Sequence, residues 1–170
     1  MEKTLKVINQ MQKKKVIAKY AIGGGIAAIF YIEPILTYDL DIFVFLPQTE
    51  HGLVTLSPLY EFLKKKGYQT SHEHIIIEGV PVQFIPAYNQ LIEEAITQAR
   101  ETKYKRTKTK VIRVEHLLAI MLQTDRPKDR TRITQLLEQA KINMDYLLDI
   151  FKRHGLLDKW QRFRKRFYGK

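Results

Sequence analysis

The 170-residue chain contains no cysteine, which removes disulfide frameworks, thiolate metal sites and cysteine nucleophiles together. No apolar run approaches the roughly 18 to 20 residues that a membrane-spanning helix needs. The lysine-dotted N-terminus lacks the apolar stretch and small-residue cleavage site of a signal peptide. A cytoplasmic protein without a membrane partner is therefore expected. Nor is there an internal repeat, or a segment long or biased enough to call disordered.

What is present is a hydrophobic fraction of 45%, enough for one domain, or for one domain with a small helical appendage. The net charge of +11 is regional. Residues 1–100 carry ten Lys or Arg against ten Asp or Glu, whereas residues 101–170 carry nineteen against eight. Such asymmetry points either to a polyanionic partner or to a solvated, salt-bridged helical surface.

Leu5, Ile8 and Met11 recur at helical spacing, so residues 2–15 read as an amphipathic helix. Val16 to Ile22 is a short apolar run ending in Gly23-Gly24-Gly25, and Ile26 to Tyr31 resumes as a helix that Pro34 closes. Tyr38 to Leu46 is strongly β-prone. Ser57-Pro58 opens a helix that closes at Lys66-Gly67. His74 to Glu78 and Val80 to Ile85 form a hairpin, residues 91–100 a helix, and Lys103 to Lys110 an exposed connector. Four short helices follow over 114–123, 129–140, 143–153 and 156–167. The spacing thus predicts an α+β core over residues 1–100, and a basic C-terminal helical region over 101–170 packed on it.

Asp39-Leu40-Asp41 carries the most chemistry. Side chains alternate along a strand, so both carboxylates point to one face, with Cα atoms about 6.6 Å apart. Two carboxylates on a rigid strand can hold a hard cation through oxygen, Mg2+ suiting best and Mn2+ serving as well. Such an ion orients triphosphate oxygens and neutralises charge as a nucleotidyl group is displaced. An Asp pair can also merely decorate an edge strand. Aspartate disfavours strands, however, and here Phe43 and Phe45 share its face. The glycine run matches neither the dinucleotide fingerprint nor a P-loop. Between strand and helix, it still lets backbone N–H groups approach phosphate.

These segments together resemble the nucleotidyltransferase superfamily, and within it the proteins grouped with the toxins of abortive-infection and type IV toxin–antitoxin systems. Gly24-Gly25-Ile26-Ala27 followed by Thr37-Tyr38-Asp39-Leu40-Asp41 is similar to the family's Gly-Gly-x-Ala and Thr-x-Asp-x-Asp. Val80 to Ile85 takes the place of its third core strand, and Arg126-Pro127-Lys128-Asp129-Arg130 that of its helical Arg-x-Lys-Asp segment. The resemblance implies the minimal, polymerase-β-like nucleotidyltransferase fold: a mixed sheet with flanking helices. It implies a nucleoside triphosphate as substrate, Asp39 and Asp41 as magnesium ligands, Gly24 and Gly25 near the triphosphate, and Thr37 supporting the site by hydrogen bonding. Lys128 and Arg126 either steady phosphate or hold the helical half on the core. An acceptor such as RNA or transfer RNA, or protein, and a cognate antitoxin partner are further implications.

Three departures bear on activity. Gln83 stands where the family's third strand offers a carboxylate, so the position of a catalytic base holds an amide that cannot accept a proton. Ile35 and Met121 replace an arginine and a lysine. Glu78 is a candidate stand-in for the third carboxylate. His72 and His74, alternating on a strand, could share a metal or simply face solvent. Near the C-terminus Trp160, Phe163 and Phe167 interleave with arginines, which suits either nucleic-acid stacking or docking of a last helix on the core.

Overall fold

The computed structural model describes residues 1–47 and 54–169. Eight helices and seven strands follow one another among the described residues: α1 (Glu2–Lys13), β1 (Lys19–Ile22), α2 (Gly24–Ala28), β2 (Leu40–Phe45), α3 (Ser57–Lys65), β3 (Gln69–Ser71), β4 (His74–Ile77), β5 (Val80–Pro86), α4 (Gln90–Thr97), β6 (Arg100–Tyr104), β7 (Thr107–Val111), α5 (Val114–Thr124), α6 (Pro127–Gln139), α7 (Met144–Arg153) and α8 (Leu157–Tyr168). No helix among them is long and apolar enough to cross a membrane.

All seven strands join one mixed sheet in the order β3-β4-β5-β2-β1-β7-β6. At its centre β2 runs antiparallel to β1 and parallel to β5. Leu40, Ile42 and Val44 are fully buried, as the period of two requires for one face of a central strand. The expected α+β architecture with flanking helices is the one observed.

One segment departs from expectation. Lys103 to Lys110 is not a connector but most of the β6–β7 hairpin, and β7 continues the sheet through the parallel Ile22–Val111 pair. The reason is visible in burial: Thr107 and Thr109 face inward while the intervening lysine points out. Threonine, β-branched, fits a half-buried pleat.

From Val114 to Leu122 every residue of α5 is buried. A helix enclosed on all sides shows little amphipathic contrast and serves as the spindle of its region. It touches α2, α4, α6, α7 and α8. The expected boundaries of the last four helices agree with those observed to within a few residues, the largest shift being the start of α6 at Pro127, in the position of helix N1 where proline is favoured.

Candidate active site

The chain approaches β2 in an extended path. Leu36 and Tyr38 are 78% and 77% exposed, while Ile35, Thr37 and Asp39 between them are partly covered. The alternation carries into the strand, so Thr37, Asp39 and Asp41 share one side, as their spacing predicts. Asp39 precedes the first paired residue, with 28% of its side chain exposed. Asp41, inside β2, is only 9% exposed.

The neighbours of Asp41 follow from sheet register. Its carbonyl accepts from the Gly23 N–H at 2.9 Å, and Gln83 of β5 lies directly alongside it in the parallel pair. Across β5 the Ile75–Val82 pairing puts His74 one step on, beside Gln83. The row His74, Gln83, Asp41 therefore crosses three strands. His74 Nε2 is 3.5 Å from Asp39 Oδ2 and is buried without a hydrogen bond.

Gly24 and Gly25 lie beneath these side chains, while Gly23 packs against Phe43. Gly24 has φ +57°, and a Cβ there would overlap Asp41 Oδ2. The Asp41 carboxylate thus lies directly against the Gly24 backbone, which only glycine permits. A Cβ on Gly25 would come within 2.7 Å of both Thr37 Oγ1 and Arg132 Nη2. The helix begins at Gly24 rather than Ile26, so the glycines are part of its first turn. Thr37 Oγ1 is buried and has no hydrogen-bond partner among the described residues.

Burial pushes the Asp41 carboxyl up to about 6, the Asp39 charge adds to this, and Lys128, Arg126 and Arg132 oppose it. Two carboxylates confined in a low-dielectric corner repel each other's charge, and a divalent cation reverses that balance. Asp39 and Asp41, with Gln83 in register beside Asp41 and the Thr37 hydroxyl at Gly25, offer oxygen donors of the kind hard cations prefer. The residues present therefore fit the implied ion. Among the described residues, no three His, Asp or Glu side chains gather into a metal-holding group, so the carboxylate component is the pair alone.

Several expected contributors are elsewhere. Glu78 sits in the β4–β5 turn with φ +52°, accepting a hydrogen bond from Tyr68 Oη at 2.8 Å. It lies five residues from Gln83 along the chain and does not replace the third carboxylate. His72 is in the β3–β4 turn with φ +55°, not on a strand with His74, because a tight hairpin needs a residue there that tolerates positive φ. Met121 is 2% exposed and belongs to the core. Arg126 clips the buried Asp129 through two bonds of 2.6 and 3.2 Å, fixing the α5–α6 turn. Lys128 is exposed on the first turn of α6 and acts on Asp41 through its charge.

Arg132 was absent from the sequence-derived set, although it is buried beside Gly25 and Thr37. Its signal was available: four residues after Lys128, it falls on the same face of one helix.

No protein-family model matches the chain, and no curated protein matches it. Solved structures do. An antigenic nucleotidyltransferase-like protein from Paracoccidioides brasiliensis is similar with a TM-score of 0.53 at 18% identity, over 79% of this chain and 74% of that one. The antibiotic-resistance factor ANT(2'')-Ia aligns over 99% of this chain and 94% of its own at 14% identity, with a TM-score of 0.43. The first of these establishes the architecture: the chain has the fold of a nucleotidyltransferase-like protein.

Proposed function

We propose that the chain is a metal-dependent nucleotidyltransferase, with Asp39 and Asp41 as the carboxylate pair that handles the nucleotide. The observation that carries this reading is the seating of the buried Asp41 carboxylate on the Gly24 backbone, with Thr37 and Arg132 at Gly25. Neither the glycines nor the aspartates alone distinguish a nucleotide site from a turn and a polar strand. Their contact does.

In this reading Asp39 and Asp41 hold Mg2+ or Mn2+, which when bound neutralises triphosphate charge and orients its oxygens. The Gly24–Gly25 backbone admits the triphosphate closely, having no Cβ in the way. Lys128 and Arg132, on one face of α6, place positive charge beside it. The Thr37 hydroxyl has a free donor to offer. An acceptor hydroxyl oxygen forms a bond to the α-phosphorus while the bond to the leaving pyrophosphate breaks, and the hydroxyl proton passes to solvent water. Gln83 can orient that hydroxyl through its carboxamide but cannot remove its proton.

The organisation we infer is a catalytic α+β core over residues 1–100, whose sheet the β6–β7 hairpin extends, and a basic region over 101–170 whose helices present the acceptor. RNA suits the charge of that region, and transfer RNA is what the family resemblance suggests; protein is the other acceptor class. The same resemblance makes a cognate antitoxin a proposed partner.

A second reading rests on Gln83. With an amide beside Asp41, the fold can bind nucleotide without turning it over. To separate the two, purified protein is incubated with Mg2+ or Mn2+, each α-labelled nucleoside triphosphate and total RNA, beside the Asp39→Ala/Asp41→Ala variant. Label entering RNA or protein with the wild type alone supports the enzyme. Metal-dependent nucleotide binding that the variant loses, without transfer, supports the binder. Neither binding nor transfer refutes both.

A further inference from the structure

On the opposite side of α6 from the aspartates, a cleft of about 240 Å³ opens between the α5–α6 turn and α8. Arg130, Lys159, Arg162 and Arg166 line it, facing a single carboxylate, Asp125. Arg130 holds Asp125 through bonds of 2.7 and 3.1 Å, and Lys159 donates to the Gln123 carbonyl at 2.7 Å. Arg162 and Arg166 form no ion pair among the described residues and are exposed. Four cations converging on one anion repel one another, a cost that an anionic occupant offsets.

The cleft has a second feature. Trp160 and Phe163 dock on the core, at 7% and 5% exposure, but Phe167 at the cleft's edge is 43% exposed. Its ring packs on Phe163 with centroids 4.6 Å apart, and the Arg166 guanidinium lies 5.5 Å from its centroid. An exposed, braced aromatic ring beside arginines is a surface on which an unpaired base stacks. Arg162 and Arg166, one helical turn apart, are separated by about 6 Å along α8, close to the phosphate spacing of an extended strand.

The cleft's position relates it to the aspartate pair. Lys128 and Arg132 occupy the face of α6 toward Asp41, while Arg130, two residues on, turns to Asp125 and lines the cleft with α8. One helix, roughly 10 Å across, lies between. We propose that this cleft holds the backbone of a single-stranded polynucleotide, whose reacting end then lies within a few nucleotides of Asp39 and Asp41. Only the last clause rests on the nucleotidyltransferase reading; the binding itself needs neither triphosphate nor metal.

The basic β6–β7 hairpin is a weaker candidate. Lys110 is paired with Glu101 at 3.8 Å, Glu2 accepts from the Arg106 N–H and the Thr107 hydroxyl, and the hairpin forms the sheet edge beyond β1. It supplies a control of equal charge.

Fluorescence anisotropy with a labelled mixed-sequence 20-nucleotide RNA, its DNA equivalent and a 20-base-pair duplex tests the proposal, without triphosphate or divalent metal. Arg162→Gln/Arg166→Gln is expected to weaken single-strand binding about tenfold or more and to flatten the salt slope by about 1.4. Phe167→Ala is expected to weaken it at least about fivefold. Lys103→Gln/Lys105→Gln, which removes the same charge, is expected to change it less than about threefold. The tighter of the two single strands names the sugar. Equal losses in both double variants, tighter binding of the duplex, or no single-strand binding would overturn the proposal. Single-strand binding as expected, with no label transferred in the incorporation assay, would refute the enzyme and leave the cleft standing.

Discussion

Two carboxylates stand where helices meet the rest of the fold, and their surroundings are opposite. Glu94 of α4 accepts two bonds from Arg153, at 2.6 and 2.9 Å, one contact from His116 Nε2 at 3.0 Å and one from His154 Nε2 at 2.8 Å. Asp41 is more deeply buried, has Asp39 for a neighbour, and receives no hydrogen bond to its carboxylate among the described residues. The Arg153 guanidinium, followed by the two histidines, holds the Glu94 carboxyl far below the usual range, whereas burial and Asp39 raise that of Asp41 to about 6. A charge given its full set of partners ties α4, α5 and α7 together. A charge denied them costs stability, a cost that the proposed cation would relieve.

The comparison can be broken most severely at the pair itself. Asp39→Ala/Asp41→Ala is expected to reduce nucleotidyl transfer by about 10³-fold or more, measured as label incorporation, with the fold retained by circular dichroism. At Glu94 the effect is on stability. Glu94→Ala leaves the fully buried His116 without its partner, and we expect a loss of about 2 to 3 kcal/mol in denaturant unfolding, discounted for the partial exposure of Arg153.

Asp41→Asn sharpens the contrast by moving stability in the other direction. The folded carboxyl sits at about 6 against an ordinary 3.8, so its favourable contribution is complete below 3.8 and lost as pH rises through 6. At pH 7.5 without metal, the variant is expected to be more stable than the wild type by up to about 3 kcal/mol. The gap should close as pH falls from 6 toward 4. Glu94, lowered from its ordinary 4.5, works oppositely: its contribution is present above 4.5 and fades as pH falls below it. The smallest expected change is at His74, whose contact with Asp39 at 3.5 Å is partly exposed. His74→Ala should alter stability by less than about 1 kcal/mol, and its effect on transfer should appear in KM for the triphosphate more than in unfolding.

The alternation from Thr37 to Phe45 was legible in the sequence because a strand has a period of two, so the shared face of Asp39 and Asp41 followed without coordinates. The bounds of the last four helices were equally readable, to within a few residues. The β6–β7 hairpin was not, since its lysines resemble a solvated linker and the inward threonines carry little hydrophobic signal. Partners brought from a distance were also hidden. Arg132 reaches Gly25 through tertiary packing, and the His74–Asp39 contact depends on how β4, β5 and β2 align. The turn chemistry at His72 and Glu78, both at positive φ, likewise emerges only once the hairpins are closed.

The most direct measurement is the thermal unfolding of wild type and Asp41→Asn at pH 7.5, titrated with Mn2+ in the presence of a nonhydrolysable nucleoside triphosphate. The wild type is expected to begin less stable and to rise steeply with metal, while the variant begins more stable and stays flat. If the wild type ignores metal and nucleotide, or the variant responds equally, then Asp39 and Asp41 are not a metal–nucleotide site.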